Sequence, residues 1–373
     1  MGSTHETEYV ETLIVGGGQA GLTAGYELAR RGRPFLIVDA NERIGDAWRK
    51  RWDSLRLFTP ARFNGLPGLP FPAARSYFPT KDEMADYLEG YASRFDLPVQ
   101  TATAVTRLAR RGGHFVATAG DRRFAADNVI VASGAHQIPR LPAFAGELDS
   151  PIVQLHSRDY LRPSQLQDGD VLVVGLGNSG AEIALELSRS HRVLLAGEPS
   201  GEIPVRHGSR TSLVAFRVVR FVGHHVLTVD TPIGRKIGPK LVAKADPLIR
   251  TQLRQLAEAG VERVPRVAGV RDGLPALEDG RVLEVANVVW CTGFRTDFSW
   301  IDLPVFGDDG NPLHYRGVVD SEPGLYFLGL VFLYSKSSDV LPGAGRDAEY
   351  IAEHIANRRR EDKGEGVEQL LVA

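Results

Sequence analysis

Two stretches of the chain, 12–39 and 171–198, follow one pattern: apolar strand, G-x-G-x-x-G turn, helix, second apolar strand, terminal acid. In the first, TLIV runs into Gly16, Gly18 and Gly21, with Gln19 and Ala20 inside the turn, and FLIV ends at Asp39 and Ala40. In the second, VLVV runs into Gly175, Gly177 and Gly180, with Asn178 and Ser179 inside the turn, and VLLAG ends at Glu198. Eighteen residues separate the third glycine from the acid in both, so the two units align without a gap. Each reads as a βαβ unit, the half-module of a dinucleotide-binding fold.

Physical roles follow from the spacing. The first glycine makes the turn, the second lets backbone approach a pyrophosphate, and the third lets helix and strand pack closely. A carboxylate at the next strand end can accept hydrogen bonds from ribose hydroxyls. An ordinary glycine turn is the competing explanation, and it weakens when strand, helix and acid recur twice in register.

The fold class that follows is α/β, with two Rossmann-like dinucleotide-binding domains, the second inserted into the first. Residues 1–164 and 286–373 form the first domain and 165–285 the second. Strand text returns at 287–291 and 325–330, and a helix is predicted over 346–357 before a charged, frayed tail. The proline- and aromatic-rich stretch 51–80 reads as a long ordered loop. Residues 201–255 hold ten Lys or Arg against three Asp or Glu; such a segment could bind an anionic substrate, touch lipid or form a lid, and reads first as a solvated, partly amphipathic cover over the nucleotide domain.

With 44 basic and 46 acidic residues the net charge is −2, which argues against a nucleic-acid binder. One cysteine, Cys291, excludes an intrachain disulfide framework and a C-x-x-C redox pair, and its apolar strand end reads as a buried, inert thiol. The polar start MGSTHETEY is no signal peptide, and no run reaches the ~20 apolar residues of a membrane span. A cytoplasmic enzyme without stable membrane insertion is expected. His224 and His225 alone make no metal site, because adjacent side chains do not converge without further ligands. Two dinucleotides in one enzyme imply that one reduces the other, and the natural pair is FAD with a nicotinamide.

GGGQAG, Phe144 and Gly146 followed by HSRDY (His156 to Tyr160), GLGNSG, and WCTGF (Trp290 to Phe294) stand in one order. That order resembles the class B flavin-dependent monooxygenases, from about residue 10 to 357. IGDAW followed by SLRLFTP is similar to the flavin-facing segment of their short bacterial members and of the plant auxin-forming enzymes. The resemblance implies that NAD(P)H reduces FAD and that oxygen adds at flavin C4a. The (hydro)peroxyflavin then passes one oxygen atom to a small sulfur, nitrogen or carbonyl substrate. Its partners are a small molecule and O2, and a homodimer is compatible with it. An NAD(P)H-dependent flavin reductase or oxidase, with oxygen or a protein as acceptor, is the alternative; a redox-sensing module is a third, non-catalytic reading.

The resemblance places Gly45 and Trp48 along the flavin, with Arg56, Leu57, Phe58 and Thr59 near its ring; plain core packing is the competing role for Trp48 and Phe58. It makes Ala132, Ser133 and Gly134 one crossing between domains and Thr292 and Gly293 the other. Val105 follows the adenine-side strand, and Asp339, Val340 and Leu341 start a helix facing the flavin carbonyl. The mammalian-type asparagine falls on Pro60 here, so no amide donor is expected there. His156 reads as a structural linker rather than a proton shuttle, and no side chain is singled out as catalytic. Because Glu198 sits at the offset of Asp39, NADH is expected to serve at least as well as NADPH. Arg206 and Arg210 lie close enough in sequence to reach a 2′-phosphate.

Overall fold

The computed structural model describes residues 7–242, 246–341 and 343–371. Its larger sheet runs in the order 99–100, 35–38, 7–15, 122–131, 114–119, 107–111. Strand Thr7–Val15 lies parallel to both Phe35–Val38 and Arg122–Val131, and the C-terminal half of the latter also takes Leu325–Phe327 in parallel. A five-stranded, wholly parallel sheet runs 262–264, 193–196, 171–174, 287–290, 153–156.

Strand Val171–Val174 is apolar throughout, and strand Thr7–Val15 becomes so at Leu13–Val15 where it is buried, as expected of parallel strands covered on both faces. Leu13, Ile14, Ile37, Val129 and Ile130 centre one core, and Val171, Val173, Ile183, Leu195 and Val289 the other. The smaller sheet takes one outer strand, Val153–His156, from before residue 165 and the strand beside it, Asn287–Trp290, from after 285. Unlike the anticipated span of 165–285, it therefore reaches outward on both sides, since strand 171–174 needs a partner on each edge. Between the two sheets, Ile138–Pro139 pairs antiparallel with Phe294–Arg295, tying the two chain crossings together.

Three further differences from expectation have local causes. Residues 51–80 form an ordered loop, as its composition suggests, but helix Lys81–Arg94 after it escaped notice despite a complete capping box between Thr80 and Glu83. The last helix begins at Ala344 and runs to Leu371, where a frayed tail was expected. No proline interrupts that stretch, and Arg, Lys, Glu and Gln favour helix.

The third concerns the gapless repeat. Helix Gln19–Arg30 has 12 residues whereas Asn178–Leu187 has 10. Val15 pairs with Val38, but its counterpart Val174 pairs with Ala196 rather than Gly197. The helix is two residues shorter and the link to the next strand one longer, so the second unit is one residue shorter overall and the repeat carries a one-residue gap.

Candidate functional site

The two glycine turns have one geometry. Gly16 has φ +113° and Gly175 φ +111°, a left-handed conformation that favours glycine. A Cβ on either would lie 2.4 Å from the carbonyl oxygen of the crossing strand, Ala132 in one case and Cys291 in the other. A Cβ on Gly21 or Gly180 would lie 1.8 Å from the oxygen of its own first glycine. At Gly18 and Gly177 an added Cβ meets nothing within 4 Å. These middle glycines are not required by packing; as N-caps without a side chain they leave an open cradle at the start of a helix whose first N–H groups receive no side-chain cap. Open N–H groups beside a cradle suit a pyrophosphate.

The two crossing segments lie against the first glycines of the turns. Ser133 N would lie 3.1 Å from a Cβ on Gly16, and Thr292 N 3.4 Å from one on Gly175, with Gly134 (φ +76°) and Gly293 (φ +81°) following. The sequence missed a third wall: Gly329, φ +76°, whose added Cβ would lie 3.0 Å from that of Ala20.

The acids differ. Asp39 accepts from Gly17 N at 2.6 Å, and from Asn41 N at 2.7 Å and Asn41 Nδ2 at 2.9 Å, so it braces the first turn. Its backbone oxygen accepts from Thr103 N, close in sequence to partly buried Val105. Gly16 N donates to Val38 O and Gly175 N to Ala196 O, which makes Gly197 the positional equivalent of Asp39 and Glu198 that of exposed Ala40. The equal offset of eighteen therefore misassigned Glu198. Its side chain, 64% exposed, pairs at 2.9 Å with Arg263 on the neighbouring strand. That cation, and not Arg206, is the one beside Glu198; Arg206 is exposed in the following loop, and the side chain of Arg210 lies outside the described residues.

The comparisons agree with this geometry. A model of the pyridine nucleotide-disulphide oxidoreductase family matches residues 13–202. A CzcO-like oxidoreductase of Geobacillus kaustophilus is 40% identical over 351 residues, 93% of this chain and 99% of that protein. The probable indole-3-pyruvate monooxygenase YUCCA3 of Arabidopsis thaliana is 30% identical over 387 residues, covering 94% and 87%. The solved flavin-containing monooxygenase from Stenotrophomonas maltophilia, 27% identical, has a TM-score of 0.74 over 94% of this chain and 99% of its own. The chain belongs to the flavin-dependent monooxygenases of this family. It uses a flavin and a nicotinamide cofactor.

In this monooxygenase the segment expected along the flavin is part structural. Gly45 (φ +90°) is glycine because a Cβ would lie 2.6 Å from Ala85 O of helix 81–94. Partly buried Trp48 and buried Leu57 pack on the first core. Arg56 donates to Phe78 O at 3.0 Å, and its own carbonyl accepts from Arg250, which also pairs with Glu182 at 3.2 Å. Burial raises Glu182 to about 7. Phe58 is exposed, and its carbonyl accepts from His207. An amide does occur close to Pro60: buried Asn64, with its Oδ1 and Nδ2 both spent on Thr59. Asn178 likewise spends its side chain on Pro247 O and Ile249 N.

Leu341 is buried in the core, Val340 N donates to Ser337 O, and the last helix begins three residues later at Ala344. Asp339 Oδ1 is buried with no hydrogen-bond partner among the described residues, and burial raises its carboxyl. Burial does the same to Asp347, one turn into the helix. Orphaned buried polar atoms at a predicted flavin contact fit a ligand that would supply the partner.

His156 Nδ1 must accept from Arg158 N at 3.1 Å, so the other nitrogen, Nε2, donates to Gly293 O at 3.1 Å. Burial lowers its pKa, and both nitrogens are committed, which is a linker's role. Its ring meets Phe294 edge-on at 5.0 Å, as His136 does at 5.4 Å, while Arg51 sits 5.4 Å over the same ring. Arg51 has no carboxylate or side-chain hydrogen-bond partner among the described residues, and burial together with Arg158 lowers its pKa. Sequence periodicity could not find this unpaired cation at the crossings, because Arg51 and Phe294 meet only through the fold. Cys291 is half-buried, and its burial pushes the thiol up to about 12, which disfavours the nucleophilic thiolate. Among the described residues no group of three His, Cys, Asp or Glu could hold a metal.

Proposed function

We propose that the first glycine turn holds FAD and the second a reduced nicotinamide dinucleotide, and that the enzyme oxygenates a small sulfur, nitrogen or carbonyl substrate. The twin cradles at Gly18 and Gly177, each roofed by a crossing strand, carry this reading. Bound flavin supplies the transfer of electrons from nicotinamide to oxygen and of one oxygen atom to substrate. The chain's part is to align the two rings at near-contact and to exclude water. The crossings do this by being tied together at Ile138–Pro139 and Phe294–Arg295. Arg51, beside the crossings and without a carboxylate partner among the described residues, would attract an anionic group, which favours a 2-oxo acid, the class named for the plant relative.

Turnover under 18O2 with a thioether, a tertiary amine and a 2-oxo acid tests it. One substrate is expected to give product carrying one labelled oxygen per NAD(P)H consumed. Stoichiometric hydrogen peroxide with no labelled product from any of the three would instead establish the oxidase alternative.

For the nicotinamide, Gly197, Glu198 and Arg263 form the corner where a 2′-substituent would lie. Glu198 repels a phosphate and also neutralises Arg263, and an exposed pair of this kind is weak. NADH is therefore expected to bind at least as well as NADPH. Glu198→Gln frees the guanidinium and should tighten NADP+ binding about tenfold, roughly 1.4 kcal/mol, while NAD+ affinity changes less than threefold. Equilibrium titration of the holoenzyme with both oxidised cofactors checks this; an unchanged ratio would place the ribose elsewhere.

A further inference from the structure

Helices Arg210–Phe221 and Pro232–Val242 are built inside out. In the second, the positions facing the protein are Gly234 and Gly238, where a Cβ would lie 1.9 Å from Thr228 O and 2.8 Å from the ring of Phe332. Ile233, Ile237 and Val242 stand in solvent instead. In the first, buried Ser212 faces inward, while Val214, Val218 and Phe221 are 62%, 57% and 59% exposed at helical spacing i, i+4, i+7. Of 13 large apolar side chains exposed among the described residues, seven lie between 214 and 242. That clustering is not the scattered exposure of an ordinary surface.

Charge is equally lopsided. Between 210 and 242 the sequence holds Arg210, Arg217, Arg220, Arg235, Lys236 and Lys240 against Asp230 alone, in a chain of net charge −2. Asp230 is already engaged, accepting from Tyr315 Oη at 2.7 Å. The segment is also fastened to the body: Arg62 Nη2 donates to Leu213 O, Val229 N to Tyr334 O and Lys336 N to Leu227 O. These anchors hold the inward faces, so the apolar stripes point outward.

We propose that the two helices are a peripheral docking surface for an anionic lipid bilayer. Outward aliphatic side chains interleaved with Arg and Lys match an acyl boundary beneath negative headgroups. A second copy fits poorly, because an isologous contact sets this cationic face against itself. A protein interface is disfavoured because Trp and Tyr, which anchor such interfaces, are absent from both helices. No helix among the described residues is long and apolar enough to cross a membrane, so the contact is superficial.

The test is co-sedimentation of the full-length, flavin-loaded enzyme with phosphatidylglycerol/phosphatidylcholine vesicles and with pure phosphatidylcholine vesicles. Binding should be at least tenfold stronger to the anionic vesicles. Val218→Ser with Phe221→Ser, which leaves charge unchanged, should weaken it at least tenfold without altering the flavin spectrum. Arg217→Gln with Lys236→Gln should weaken it and flatten its salt dependence. Failure to sediment with anionic vesicles overturns the proposal, as does binding indifferent to the serine pair. So does a dimer in analytical ultracentrifugation that the serine pair dissolves, since the face then belongs to a second copy. Should an acidic protein be the true partner, the vesicles stay bare and the proposal falls as well.

Discussion

Gly18→Val is expected to yield a folded chain that retains almost no flavin, whereas Gly21→Val should not fold at all. The contrast follows from what each Cβ would meet. At Gly21 it would overlap the oxygen of Gly16 at 1.8 Å, and backbone cannot withdraw without separating helix from strand. At Gly18 it meets no protein atom, and the extended backbone there (φ −78°, ψ −171°) accepts valine without strain. The only thing displaced is a ligand in the cradle. Loss of close approach to a pyrophosphate should weaken FAD on the order of a hundredfold, about 2.7 kcal/mol. Titration of apoprotein with FAD, beside a thermal melt of the apo form, separates the outcomes. Affinity within threefold of the native protein would mean that Gly18 does not face the flavin.

How much of this was legible depended on sequence distance. A strand, a turn and a helix are local, so the glycines could be read before any fold was known, while the two crossings at 132–134 and 292–293 came from the family resemblance. The register of the second acid could not. Eighteen residues separate Gly180 from Glu198 as they separate Gly21 from Asp39, but a helix two residues shorter and a strand ending at Ala196 move the equivalent position to Gly197. Counting fixes spacing along the chain; pairing is decided by which carbonyl meets Gly175 N. Arg263 and Arg51 were invisible for a related reason, since each becomes relevant through a neighbour 65 or more residues away. Gly45 looked like a flavin contact because of its family position, yet the approach of helix 81–94 accounts for it. The basic segment was legible as amphipathic but not as inverted, because glycines on the inward face carry no hydrophobic signal.

Gly177→Val should separate the two modules functionally. Its Cβ also meets nothing within 4 Å, and its backbone (φ −94°, ψ −171°) tolerates valine, so the second sheet and its core remain intact. The first cradle is untouched, because strand 171–174 and strand 7–15 lie in different sheets. The purified variant should therefore be yellow, with native flavin content and native melting temperature. Anaerobic reduction by NADH or NADPH should require on the order of a hundredfold more nucleotide to reach half its maximal rate, about 2.7 kcal/mol of lost binding. Dithionite, which needs no nucleotide site, should reduce the flavin at the native rate. If reduction by NADH keeps its native concentration dependence, the second turn does not hold the nicotinamide nucleotide. Combined loss of flavin would instead show that the modules fold as one unit, with Arg250 between Arg56 and Glu182 the first contact to examine.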